Sequence, residues 1–178
     1  GGIAVHAGAL PLTGCQATTT SIYNNRIGRA SGAVSSFGNG GPAVEIGQDG
    51  APLRAAHRAW ILFNEIGSPT HAAIVTRGSG TVSSADNNRY YDVAGLLLDN
   101  GGDGQTPNDP GDTDVGPNEL LNTPTPLLVS YNPVDSQLTM SFDSNSPINR
   151  SMMLHALREI PGEPMRTLAR RTFTATAA

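Results

Sequence analysis

Ile22-Tyr23-Asn24-Asn25-Arg26-Ile27-Gly28, Leu62-Phe63-Asn64-Glu65-Ile66-Gly67 and Asp86-Asn87-Asn88-Arg89-Tyr90 are three versions of one phrase, each placing an asparagine just ahead of a large hydrophobic residue. Between them runs a second phrase, a small residue leading into an aliphatic run: Gly2-Ile3-Ala4-Val5, Ala43-Val44-Glu45-Ile46, Ala73-Ile74-Val75 and Gly95-Leu96-Leu97-Leu98. The two alternate strictly. Asn25 to Asn64 is 39 residues and Asn64 to Asn88 is 24, while Val44 to Ile74 is 30 and Ile74 to Leu96 is 22. Constant phrases at variable spacing imply a short repeating coil of about 22 residues with insertions on one side, as a parallel β-helix requires. Each coil then contributes short strands that stack on the same strands of the next. Asn25, Asn64 and Asn88 fall where the chain must turn between strands, so they are expected to form an asparagine ladder in a left-handed corner. Unrelated strands of a sandwich are the alternative, and the alternation argues against it. Arg54–Phe63 has helical propensity, but its match to Ile22–Gly28 favours strand from Trp60 onward.

Composition agrees with short strands and many turns. The 178 residues contain 21 glycines and 13 prolines, with 38% hydrophobic content, which favours an all-β chain. All 11 basic residues are arginine and the net charge is -4, so there is no basic field for a phosphate backbone and nucleic acid is not expected as a partner. No apolar stretch reaches the roughly 18 residues of a membrane span. The single Cys15 has no internal disulfide partner and reads as a buried thiol. Gly1 begins directly in a strand approach, which suggests a piece of a longer precursor.

Between Arg89 and Arg150 there is no basic residue, but many aspartates. Leu96–Asn122 reads LLLDNGGDGQTPNDPGDTDVGPNELLN. This stretch resembles the last coil of bacterial surface β-helix repeat proteins of the CSLREA-domain type. Asn24–Ile46, NNRIGRASGAVSSFGNGGPAVEI, is similar to another element of the same proteins. The resemblance covers roughly residues 1–143, although the glycine-rich step expected after Ile46 is missing, which leaves the coil count open. It implies a parallel β-helix on a secreted or cell-envelope protein with an adhesive or structural role, and it implies no established reaction. Independently, Asp99, Asp103, Asp109, Asp112, Asp114 and Asn118 supply many oxygens on a Gly- and Pro-rich loop, which makes Ca²⁺ a candidate ligand. The spacing is not that of an EF-hand. A loop held by Asp and Asn side-chain turns, without an ion, is the competing reading.

From Pro126 two alternating runs flank Asn132, Pro133 and Asp135, a β-hairpin signal. Arg150–Arg158 and Met165–Thr176 are expected to add two more strands. The whole is therefore expected to be all-β: a right-handed parallel β-helix of few coils over residues 1–122, then a small antiparallel Ig-like β module over 123–178 that caps it.

Chemistry is sparse. His6, His57, His71 and His155 stand in no nucleophile motif, and there is no nucleophile elbow, phosphate loop or paired-cysteine metal site. No catalytic or cofactor-binding residue is assigned. Arg26, Glu45, Glu65 and Arg89 are expected on an outer strand face, and Trp60 with Arg54 and Arg58 is a candidate sugar-stacking patch. The leading expectation is a non-enzymatic extracellular or cell-surface protein. Its partners would be glycans, copies of itself or the rest of a longer precursor. A carbohydrate-active or carbohydrate-binding β-helix, such as a receptor-binding spike, and a filament subunit joined through the open edge near Gly1–Val5 are the alternatives.

Overall fold

The structure, a computed structural model, describes residues 3–5, 18–28, 40–47, 57–68, 70–143, 145 and 151–174. The described residues form an all-β chain with one 3-10 turn at Pro117–Leu120 and no α-helix. Three short parallel sheets carry the repeat. The first holds β1 (Ile3–Val5), β4 (Val44–Ile46), β7 (Ile74–Thr76) and β10 (Leu98–Asn100); the second holds β2 (Thr18–Tyr23), β5 (His57–Leu62) and β8 (Val82–Asp86). The third contains β3 (Arg26–Ile27), β6 (Glu65–Gly67) and β9 (Arg89–Tyr91). The chain visits the three in turn, and each circuit pairs in register with the one before: Val44 opposite Ile74, Ile22 opposite Ile61, Ile27 opposite Ile66.

Alternation along each strand explains why these triplets stack. Val44 and Ile46, Ile61, Ile66 and Ile74 are fully buried and share one apolar core contributed by all three sheets. The intervening Glu45 and Arg58 lie on the other side of their strands. Burying a residue of this size stabilises by about 1.5–3 kcal/mol, so each circuit adds its own increment of core.

The second and third sheets meet at the asparagine corner, and the ladder is continuous. Asn25 Nδ2 donates to Asn64 Oδ1 at 3.2 Å, and Asn64 Nδ2 donates to Asn88 Oδ1 at 3.0 Å. The same oxygens accept backbone N–H groups, Asn25 N to Asn64 and Asn64 N to Asn88, both at 2.9 Å. The left-handed residue, however, is the one before each rung: Asn24, Phe63 and Asn87 have φ of 55°, 56° and 54°. The corner needs the left-handed turn one residue early so that the following side chain can point along the stack.

Two other expectations shift. The last strand of the first sheet is Leu98–Asn100 rather than Gly95–Leu98, because Leu98 and not Leu96 sits opposite Ile74. That makes the final interval 24 residues, equal to the last asparagine interval. The strand after Arg54 begins at His57, three residues before Trp60.

The C-terminal strands form as expected, but they do not form one Ig-like sheet among the described residues. β11 (Thr125–Asn132) and β12 (Gln137–Asp143) make a separate hairpin whose turn is held by Asn132 Oδ1 accepting from Val134 N and Asp135 Oδ1 from Gln137 N. β13 (Ser151–Arg158) and β14 (Met165–Thr174) instead extend the third sheet, with β14 antiparallel to β9 through Met165 opposite Tyr90. The free edge of β9 offers unpaired backbone groups, which β14 satisfies. Cys15, His6 and Arg54 lie outside the described residues.

Candidate functional site

The stack of circuits ends at β8, β9 and β10, and there its interior changes character. On the first sheet the buried row Ile46–Thr76 continues to Asn100; on the second, Ala59 continues to Ser83 and Ile61 to Ala85. On the third, Ile66 gives way to Tyr90. With no further circuit above it among the described residues, this level needs polar partners for its backbone, and Asn118 supplies them. Its backbone N donates to Thr81 O at 2.8 Å, its Oδ1 accepts Ser83 N at 2.7 Å, and its Nδ2 donates to Ser83 Oγ and Asn100 Oδ1. The side-chain amide thus takes the place of a peptide group that a further strand of the second sheet would offer. Holding it there requires left-handed backbone at Asn118, φ 48°, a conformation asparagine tolerates better than most residues.

Beside this plug lies a cavity of about 620 Å³. Its floor is the last circuit, including Ser84, Asp86, Tyr90 and Leu97; its walls are the segment around Asn118–Pro124 and the β13–β14 hairpin at Met153–His155. Asp86 is only 7% exposed. One carboxylate oxygen, Oδ2, is paired with the Arg170 guanidinium of β14, and His155 Nδ1 stands 3.8 Å from the other, Oδ1. Oδ1 itself is shielded from solvent and makes no hydrogen bond. Burial pushes the Tyr90 phenol up to about 12, with the hydrogen bond to Asn88 opposing and the Asp86 charge adding, so this ring stays protonated and neutral at the floor of the cavity.

Sequence reasoning passed over this constellation. His155 reads as an isolated histidine and Asp86 as part of a repeat, because Asp86 and Arg170 lie 84 residues apart and only the docking of β14 brings them together.

The six residues of the expected metal set are not brought together in one place. Asp99 is buried and caps the loop after β10, its Oδ1 accepting Gly102 N and its Oδ2 accepting Gly104 N. Asn118 is the plug already described. Asp109 and Asp112 flank Asn122: Asn122 N donates to Asp112 Oδ1 at 3.0 Å, Asp109 N donates to Asn122 Oδ1 at 3.0 Å, and Asn122 Nδ2 donates to Asp109 O at 2.8 Å. Asp103 is exposed and Asp114 partly so. Among the described residues no three carboxylate, histidine or cysteine side chains converge in a metal-holding group. Asp109 Oδ1 and Asp112 Oδ2 nevertheless make no hydrogen bond, and two carboxylates are fewer oxygens than Ca²⁺ prefers. The two respond oppositely to their surroundings. Hydrogen bonds from the Thr113 hydroxyl and backbone hold Asp109 below the ordinary carboxylate range. Burial raises Asp112, joined by repulsion from Asp109, Asp114 and Glu119.

On the outer face the charges pair along the stack. Arg26, Glu65 and Arg89 occupy one register row, with Arg26 Nε 3.1 Å and Arg89 Nη1 3.9 Å from the Glu65 carboxylate. Glu45 accepts from Arg77 Nε at 2.6 Å, and Arg77 also reaches Gly101 O. The carboxylates of this face are thus tied to arginines. Trp60 is 39% exposed on the outer side of β5, with Arg58 two residues before it on the same strand. No helix among the described residues is long and apolar enough to cross a membrane. No family model, curated protein or solved structure matches the chain.

Proposed function

We propose that this chain is the closing part of a right-handed parallel β-helix on a bacterial secreted or cell-surface protein of the CSLREA-domain type, with a structural or adhesive role rather than a catalytic one. The observation that supports this reading most is the register of the three sheets, in which successive circuits stack the same inward positions, apolar until the last, and the same asparagine rung. Such stacking suits a rod that displays a surface, since each repeat is stabilised by its neighbours. Outward charges that neutralise one another along the stack suit a passive face better than a pair of catalytic carboxylates, which must stand free on either side of a bond.

Antibody raised against the chain should label intact cells of the bacterium that produces it, and the purified chain should release no fragments from polysaccharides. Labelling only after permeabilisation would refute the surface placement, and sustained turnover would refute the non-enzymatic role. Calcium stabilisation is a separate proposal, resting on the two unpartnered oxygens of Asp109 and Asp112. An unchanged melting temperature between EDTA and excess Ca²⁺ would exclude it.

A further inference from the structure

We propose that the β11–β12 hairpin is a self-association surface, on which a second copy of this chain packs the same apolar face against the first. Alternation along the two strands sorts their side chains by face. Val129 stands opposite Met140 and Tyr131 opposite Leu138, and Leu127, two residues before Val129, continues the row. In the order named, these five side chains are 62, 40, 61, 43 and 68% exposed. The other face pairs Ser130 with Thr139, Asn132 with Gln137 and Leu128 with Ser141, and is mostly polar. The hairpin is therefore amphipathic, and its apolar side lies open.

A two-stranded hairpin is marginal in water unless its apolar face is packed, and among the described residues no third strand joins β11 or β12. Its root is nevertheless fixed. Asn108 Nδ2 donates to Thr123 O and Thr123 N to Asn108 Oδ1, both at 2.8 Å, and Asn122 Nδ2 donates to Asn145 O at 2.7 Å. Composition selects the occupant. Between Thr125 and Asp143 the charged residues are Asp135, in the turn, and Asp143, at the end, and both lie off the apolar row. Two copies can therefore meet there without like-charge repulsion at the contact, although each carries a net charge of -4, and a partner recognised through charge would find nothing to pair with. Five large side chains exposed to this degree present about 100 Å² each, roughly 500 Å² per copy. Face-to-face packing then buries about 1,000 Å² in total, the threshold for a specific interface, which suits a weak and reversible dimer. The contact uses the same patch on both copies, so it closes at two. This inference goes beyond the surface role and holds wherever the parent protein resides.

The test is analytical ultracentrifugation of the full chain under reducing conditions, so that Cys15 cannot link copies. The mass should rise with concentration from 18.5 kDa to twice that value and no further, with a micromolar Kd that added salt leaves unchanged or lowers. Val129→Glu and Leu138→Glu place a charge within the row and should each raise Kd at least tenfold. Ser130→Glu and Thr139→Glu, on the opposite face of the same strands, should change it less than twofold. All four positions are exposed, so far-UV circular dichroism should match the parent chain; should a variant lose that signal, the mass of the parent chain and its salt dependence still decide. A monomer at every concentration, growth beyond two copies, or a dimer that salt dissociates overturns the proposal. So does a dimer weakened equally from both faces, which would mark edge-to-edge strand pairing, or one that neither face affects.

Discussion

Replacing Asn64 by alanine should be among the most damaging single changes outside the apolar core. Asn64 is 1% exposed. Its Nδ2 donates to Ile22 O at 2.9 Å, Leu62 O at 3.0 Å and Asn88 Oδ1 at 3.0 Å, and its Oδ1 accepts both Asn25 N and Asn25 Nδ2. After truncation, Leu62 O still accepts from Asn24 N and Asn88 Oδ1 still accepts from the backbone N of residue 64. Ile22 O and Asn25 N lose the bonds that Asn64 gave them. Two or three lost bonds at about 1–1.5 kcal/mol each give a cost of roughly 2–4.5 kcal/mol. Asn25→Ala, at the exposed end of the ladder, keeps its backbone bond to Asn64 Oδ1 and should cost about 1 kcal/mol or less. Urea denaturation followed by far-UV circular dichroism reads the difference, provided that the slope m is unchanged. Asn64→Asp separates hydrogen bonding from packing. At equal volume it sets a carboxylate oxygen against three acceptors, so at neutral pH it should be at least as damaging as alanine and recover partly in acid as the carboxyl becomes a donor. Equal costs at Asn64 and Asn25, or an Asn64→Asp variant well tolerated at neutral pH, would refute the ladder as a source of stability.

Gly47 has φ of 84°, and a Cβ there would collide with the Arg77 carbonyl; Gly47→Ala should therefore cost about 2–4 kcal/mol in the same assay. Asn118→Ala should cost about 2–3 kcal/mol through the loss of three side-chain bonds. Asn118→Asp should be comparably harmful, because its second oxygen would meet Asn100 Oδ1; an Asn118→Asp variant that is stabilised and gains Ca²⁺ affinity would instead mark this residue as a metal ligand. Asp112 has a folded pKa raised above 3.8, so its contribution favours the fold fully below 3.8 and is lost as pH rises through the folded value. Asp112→Asn should accordingly raise the melting temperature at neutral pH, with an advantage that shrinks as the pH is lowered toward 3.8; an advantage independent of pH would contradict this assignment.

The sequence alone determined the all-β class, the alternation of two strand phrases, the asparagine rungs and the positions of the C-terminal strands. These features are periodic, and burial on one side of a strand leaves a direct trace in residue order. The exact corner geometry was less legible: any of the residues around Asn25, Asn64 and Asn88 tolerates the turn on composition, and only the backbone shows that Asn24, Phe63 and Asn87 take it. The three leucines at Leu96–Leu98 could each have opened the last strand, and pairing with Ile74 selects Leu98. Tertiary structure alone decided what happens at the end of the stack. Asn118 looked like one oxygen donor in an acidic loop and became a substitute for a missing strand, because the unpaired Ser83 and Thr81 backbone groups lie 35 and more residues away in sequence. Asp86, His155 and Arg170 meet only because β14 pairs with the free edge of β9. Local periodicity records which face of a strand is buried; it carries no record of which distant side chains close the end of the core.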